Sequence, residues 1–168
     1  MKKSILLFLT ILLNLNLSFS QTKSEIDSLL NGISKTKNSI EIVKSKQAEK
    51  IMVFGEKSLP ILAEFFTDST RTEIKSECNN RNLTKGELAI IIADRIEGMP
   101  FALLTGVQNC LMEFCENNPN LIEYYLPWIK KDDGKSFKEK YINWLASYDR
   151  KSKSERRKEK RKLKREKT

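Results

Sequence analysis

The 168 residues contain no histidine. That removes the commonest general base, the nucleophile systems that depend on an imidazole, and every zinc site built on one. The remaining acid-base groups are carboxylates. Asp94, Glu97, Glu113 and Glu116 fall on two helical stretches, where an inward-facing pair would resemble the carboxylate pair of a glycosidase. Asp94 and Glu97 are three residues apart, on one helix face, with Arg95 beside them. A solvated, ion-paired helix rim accounts for that arrangement more simply. There is no phosphate-binding loop, dinucleotide glycine pattern or metal-ligand spacing, so no cofactor and no metal are expected. The chain reads as non-catalytic, with a carboxylate-dependent hydrolase as the residual enzyme reading.

The three cysteines are Cys78, Cys110 and Cys115. Cys110 and Cys115 sit on one expected helix, five residues apart, which puts their α-carbons roughly 8–9 Å from each other, beyond the limit of about 7 Å for an unstrained bridge. Any disulfide must therefore use Cys78. Cys110 lies nearer the apolar stripe than Cys115, so Cys78–Cys110 is the preferred pair; three reduced cysteines serving as small apolar fillers is the alternative.

Binding chemistry is concentrated in two places. The polar stretch Thr67–Leu83 interrupts the helical pattern, and a connection of that length often carries a binding loop. Arg71, Glu77, Asn79, Asn80 and Arg81 supply guanidinium, amide and carboxylate groups for an acidic or carbohydrate partner. The second place is the end of the chain. Arg150–Thr168 holds twelve Lys+Arg and three Glu, a balance of +9, whereas 21–149 holds seventeen basic and nineteen acidic residues, a balance of −2. Leu163 is the one large apolar residue there, so the segment is expected to be a solvated or frayed-helical tail that contributes nothing to folding. Arg156, Arg157, Lys160, Arg161, Lys164 and Arg165 are its candidate polyanion contacts. With no aromatic residue among them, base stacking is not indicated and nucleic acid is not the expected partner.

The elements that hold these groups are helical. Thr84-x-x-Glu87 and Ser136-x-x-Glu139 have capping-box spacing, and Asn118-Pro119 reads as a cap and first helical residue. Helices are expected over 24–33, 39–54, 58–67, 85–97, 100–116, 119–130 and 136–149. Leu88, Ile91, Ile92, Leu103, Val107, Leu111, Phe114, Leu126 and Trp144 form the expected core. The run Leu88–Ala93 has three consecutive β-branched residues, but the capping box before it and its helical stripe favour a central, heavily covered helix. The expected fold is all-α, built from antiparallel helical hairpins, either stacked as a layer or gathered into a compact irregular α-bundle.

The segment Gly55-Glu56-Lys57-Ser58-Leu59-Pro60-Ile61-Leu62-Ala63-Glu64-Phe65-Phe66 resembles the HEAT-like helical-repeat family. There a helix ends near a glycine and the next begins at a Leu-Pro step. The resemblance covers one repeat and implies a binding scaffold rather than a catalyst.

The N-terminus reads as an export signal. Lys2 and Lys3 precede an apolar run over 5–17, and Ser18-Phe19-Ser20 offers small residues ahead of a cut before Gln21. Residues 1–20 are thus expected to be a cleaved signal peptide, 21–149 a helical domain, and 150–168 a basic tail. The expected destination is the periplasm, the outer surface or the medium. The functional expectation is an exported α-helical binding or adaptor protein, an inhibitor of or scaffold for another envelope protein. The alternative is an envelope-associated protein held on anionic lipid or polysaccharide by its basic tail.

Overall fold

The computed structural model describes residues 22–107, 120–148 and 150–165. Its fold is mostly all-α, with one small two-stranded sheet. Helix α1 (Lys23–Ile33) starts where Thr22 Oγ1 accepts the Glu25 N–H, and it buries Ile26, Leu30 and Ile33. The expected helix over 39–54 divides into a 3₁₀ turn (Ser39–Lys44) and α2 (Lys46–Phe54), because Ser45 is extended and caps α2 with its side chain. Gly55, at φ 63°, ends α2 in a conformation that favours glycine. Helix α3 (Leu59–Glu64) follows, with Pro60 in its first turn. The helices on either side of Gly55 each find other neighbours: α2 packs on α1, and α3 packs on the two helices α4 and α7 introduced below.

The stretch expected as a polar loop is instead a β-hairpin. Strand β1 (Arg71–Lys75) pairs antiparallel with β2 (Asn82–Thr84), Arg71 opposite Thr84 and Lys75 opposite Asn82, with an irregularity between. Thr72 and Ile74 point inward while Arg71, Glu73 and Lys75 point out. A strand with one inward aliphatic side chain has too weak an alternation to be read as a strand. Its other edge is bonded to the segment after α1, with Glu73 N–H donating to Ser34 O (2.9 Å) and Lys75 N–H to Lys37 O (3.1 Å).

Helix α4 (Lys85–Glu97) is the centre of the molecule. Thr84 and Glu87 form the expected capping box, and every residue from Lys85 to Ala93 is buried. The N-terminus of α4 is pressed onto backbone: Lys85 N–H donates to Thr70 O (2.8 Å) and Gly86 N–H to Asp68 O (2.9 Å). A Cβ at Gly86 would stand 2.5 Å from Phe66 O and 2.9 Å from Asp68 O, so glycine is required there for close approach. Lys85 is ion-paired with Asp27 and ties α4 to α1.

After α4 come α5 (Phe101–Thr105), a 3₁₀ turn (Leu121–Tyr125), α6 (Leu126–Ile129), a 3₁₀ turn (Lys130–Asp132), α7 (Lys135–Ala146) and α8 (Lys153–Arg165). The expected helix over 119–130 is broken into short pieces. Pro127 removes a backbone donor inside it, and Asp133 (φ 55°) and Gly134 (φ 79°) turn the chain left-handed before α7. Phe66, Phe137 and Tyr141 close the core on this side, with Phe66–Tyr141 centroids 5.0 Å apart. Of the expected core residues, Leu88, Ile91, Ile92 and Leu126 are buried; Val107 and Trp144 are partly buried. Leu103 is 70 % exposed. Helix α5 has only five residues and presents Leu104 inward instead. Leu111 and Phe114, and the signal-like segment 1–20, lie outside the described residues. No described helix is long and apolar enough to cross a membrane.

Candidate functional site

The hairpin brings together part of the residue set expected to contact a partner and puts the rest to structural use. Arg81 is a correction. Its two terminal nitrogens grip the fully buried Glu87 carboxylate at 2.6 and 2.8 Å, and this hydrogen bonding holds the guanidinium pKa above its usual value against the opposing effect of burial. A carboxylate with no water contact must be neutralised by a neighbour, so Arg81 serves the fold first. Asn79 is the second correction: its Nδ2 donates to Glu123 O (3.2 Å) and its N–H to Ser76 Oγ (2.8 Å). Ser76 Oγ in turn donates to the buried Glu123 Oε1 at 2.5 Å. Glu77 is anchored by its backbone, which donates to Ser39 Oγ (3.1 Å), and leaves its side chain at the surface. Asn80 takes the left-handed conformation (φ 44°) that the tip needs and that asparagine tolerates. Arg71 is exposed on the outward face of β1.

Cys78, in the same tip, is disulfide-bonded. Cys110, the preferred partner, and Cys115 lie outside the described residues. The tip is thus fastened to the domain through a disulfide, a buried carboxylate and the Ser39 turn.

At the base of the hairpin, Arg71, Arg81, Asn82 and Thr84 meet Pro127 and Lys130 across a cleft of about 420 Å³. Lys130 was not expected at a site. It comes from a segment whose sequence carries no local sign of the hairpin, and its Nζ is 3.9 Å from Glu87 Oε1.

The basic end of the chain is not detached from the domain, which corrects both the boundary at residue 150 and the assignment of Arg156. Glu97, the last residue of α4, has a side chain only 1 % exposed. It faces Arg150 Nη1 at 3.1 Å and Arg156 Nη2 at 3.2 Å. Arg150, 13 % exposed, also meets Glu56 at 3.0 Å and lies 5.2 Å over the Trp144 ring. Arg156 Nη2 donates to Glu97 O (2.7 Å) and Lys153 Nζ to Arg95 O (2.9 Å). These cations sit on the C-terminal carbonyls of α4, where the helix dipole favours positive charge. The start of α8 is set by Ser152, whose Oγ accepts the Glu155 N–H (3.3 Å) while its own N–H donates to Glu155 Oε2 (2.7 Å). That Ser-x-x-Glu box is the signal that marks an ordered helix here rather than a frayed one.

Past this anchor α8 is exposed throughout. At 100° per residue, Arg157, Lys160, Arg161, Lys164 and Arg165 fall within about 140° of one another, while Glu155 and Glu159 fall on the opposite side. Glu159 is taken up by Lys151 (2.7 Å). One face of α8 therefore carries five cations and no acid.

The carboxylates weighed for catalysis are used otherwise where they are described. Asp94 Oδ1 accepts the Met99 N–H at 2.8 Å and closes the end of α4; burial raises its pKa despite that hydrogen bond. Glu97 anchors α8. Glu113 and Glu116 lie outside the described residues. Among the described residues no group of three or more Cys, Asp or Glu is placed to hold a metal ion. Comparison with protein families, characterised proteins and solved structures returns no match.

Proposed function

We propose that this is an exported, non-catalytic α-helical binding protein whose working element is the cationic face of α8, and that this face holds the protein on an anionic lipid surface. The observation that carries the reading is one acid-free cationic face on that helix: Arg157, Lys160, Arg161, Lys164 and Arg165 lie on it, while Glu155 and Glu159, together with Lys162, lie on the opposite side. A solubilising tail has no reason to keep its acids off one face. Arginine-rich faces suit phosphate groups, which accept the guanidinium fork, and the near absence of apolar residues points to adsorption at headgroups rather than insertion. Two features support export. They are the signal-like residues 1–20 and the disulfide at Cys78, a bond that persists in oxidising compartments.

The test is co-sedimentation with vesicles of phosphatidylglycerol and phosphatidylcholine, against phosphatidylcholine alone, over a range of salt. The five-residue variant R157Q/K160Q/R161Q/K164Q/R165Q leaves Arg150 and Arg156 in place. Each cation near such a surface contributes enough that removing five should weaken adsorption by on the order of a thousandfold. Equal sedimentation of variant and native chain refutes the reading. Retention on an acidic polysaccharide but not on vesicles moves it to that polymer.

A protein partner is the second reading. It is favoured by Val53, 79 % exposed in a groove of about 520 Å³ lined also by Glu25, Lys46, Glu49, Lys50 and Phe54. Partner capture that survives the five-residue variant and fails in Val53→Asp supports it.

A further inference from the structure

The cleft at the base of the hairpin stands at the other end of α4 from α8, separated from Glu97 by the length of a 13-residue helix, about 18 Å at 1.5 Å per residue. Its charges do not cancel. Three cations, Arg71, Arg81 and Lys130, border it, against two buried carboxylates, Glu87 paired with Arg81 and Glu123 close enough to act on it. A concave surface is left with about one positive charge. Arg81 is already fixed by Glu87 and by Asn82 O, so it contributes an oriented positive charge, and the donors left to a ligand are chiefly those of Arg71, Lys130 and Thr84. Thr84 Oγ1 uses an acceptor position on the Glu87 N–H (3.3 Å), which leaves its O–H to donate. Arg71 on β1 and Lys130 on the 3₁₀ turn line the same cleft from two different elements.

We infer that this cleft binds a phosphate monoester. Donors drawn from the hairpin and from the 3₁₀ turn around one cleft suit a tetrahedral dianion, whereas a flat carboxylate presents its acceptors in one plane. The volume suits a small headgroup rather than a polymer. Pro127 and the aliphatic stems of the two arginines give the carbon body of the ester an apolar wall. This site is independent of the reading of α8. A phosphate monoester could be presented by a lipid headgroup or as a soluble sugar phosphate.

The experiment uses the chain carrying the five-residue α8 variant, so that α8 cannot supply the binding. Amide chemical shifts of Asn82, Thr84 and Lys130 are followed as glucose 6-phosphate is added. The expected result is a saturable shift, weakened at least about tenfold in R71Q/K130Q, since each charge-assisted hydrogen bond lost is a factor of this order. A control, K35Q/K37Q, removes equal charge elsewhere and should leave the affinity unchanged. Phosphatidate vesicles then assign the source: adhesion that depends on Arg71 and Lys130 indicates a lipid headgroup, and its absence beside intact glucose 6-phosphate binding indicates a soluble ester. No saturable shift, a shift indifferent to R71Q/K130Q, or equal affinity for glucose 6-sulfate overturns the proposal. Arg71 is exposed, and Lys130 is only the longer of the two ion-pair contacts of Glu87, at 3.9 Å against 2.6 Å for Arg81, so the variant keeps the Glu87–Arg81 pair; the backbone amide spectrum of R71Q/K130Q without ligand checks that it is folded.

Discussion

A chain ended at Asp149 should lose substantial stability, although what it lacks looks from composition like a solvated tail. The truncation removes Arg150 and Arg156 together and leaves Glu97, with a side chain 1 % exposed, facing the guanidinium sites at 3.1 and 3.2 Å with nothing in them. Removing one side of a buried pair typically costs 3–5 kcal/mol. Here the figure is reduced, because Arg156 is 43 % exposed and water can follow it out. The contacts to Glu97 also miss hydrogen-bond geometry. About 3 kcal/mol is a fair expectation, and for a domain of this size that lowers Tm by about 10 °C. Thermal unfolding followed by circular dichroism at low ionic strength measures it. A double-mutant cycle isolates the cause. Glu97→Gln should destabilise the full chain, where Arg150 keeps Glu56 and the Trp144 ring but loses its buried carboxylate, and should restore part of the loss in the truncated chain, where the buried charge of Glu97 is gone. If the truncated chain melts within about 2 °C of the full one, or if Glu97→Gln is equally damaging in both, the ion pairs at the end of α4 do not hold α8 to the domain.

Three further outcomes are expected. Gly86→Ala should cost about 3 kcal/mol in urea unfolding, because its Cβ meets backbone oxygens that cannot move aside, the nearest at 2.5 Å. Cys78→Ser should lower stability by about 2–5 kcal/mol, and a reducing agent should destabilise the native chain without affecting the variant further. Asp94→Asn should gain stability relative to the native chain as pH rises. Burial raises the folded pKa of Asp94 above its ordinary 3.8, so the folded state binds this proton more tightly than the unfolded one. Asp94 then contributes stability only at low pH, and that contribution is lost as pH climbs from near 3.8 through the folded value. The stability difference between variant and native chain, measured at pH 3 and pH 7, should move in the variant's favour at the higher pH.

What could be read from the sequence was local in origin. The Thr84/Glu87 box and the stripe Leu88/Ile91/Ile92 lie within one helix and are enough to place α4 and its burial, since capping and helical periodicity act over three or four residues. The mostly helical character of the fold followed from the same short-range signals. Tertiary structure decided whatever depended on a distant partner. The hairpin exists because β1 is paired on both edges, to β2 and to the segment after α1, which supplies hydrogen bonds that its one inward aliphatic side chain does not advertise. Arg156 and Glu97 are 59 positions apart, and Asn79 reaches Glu123 across 44. Leu103 faces water because α5 runs for five residues and turns Leu104 to the core. A charged or polar side chain looks the same in sequence whether it meets solvent or compensates a buried carboxylate, because the energy that separates the two cases is set by the desolvation of its partner, and only the folded chain determines which partner that is.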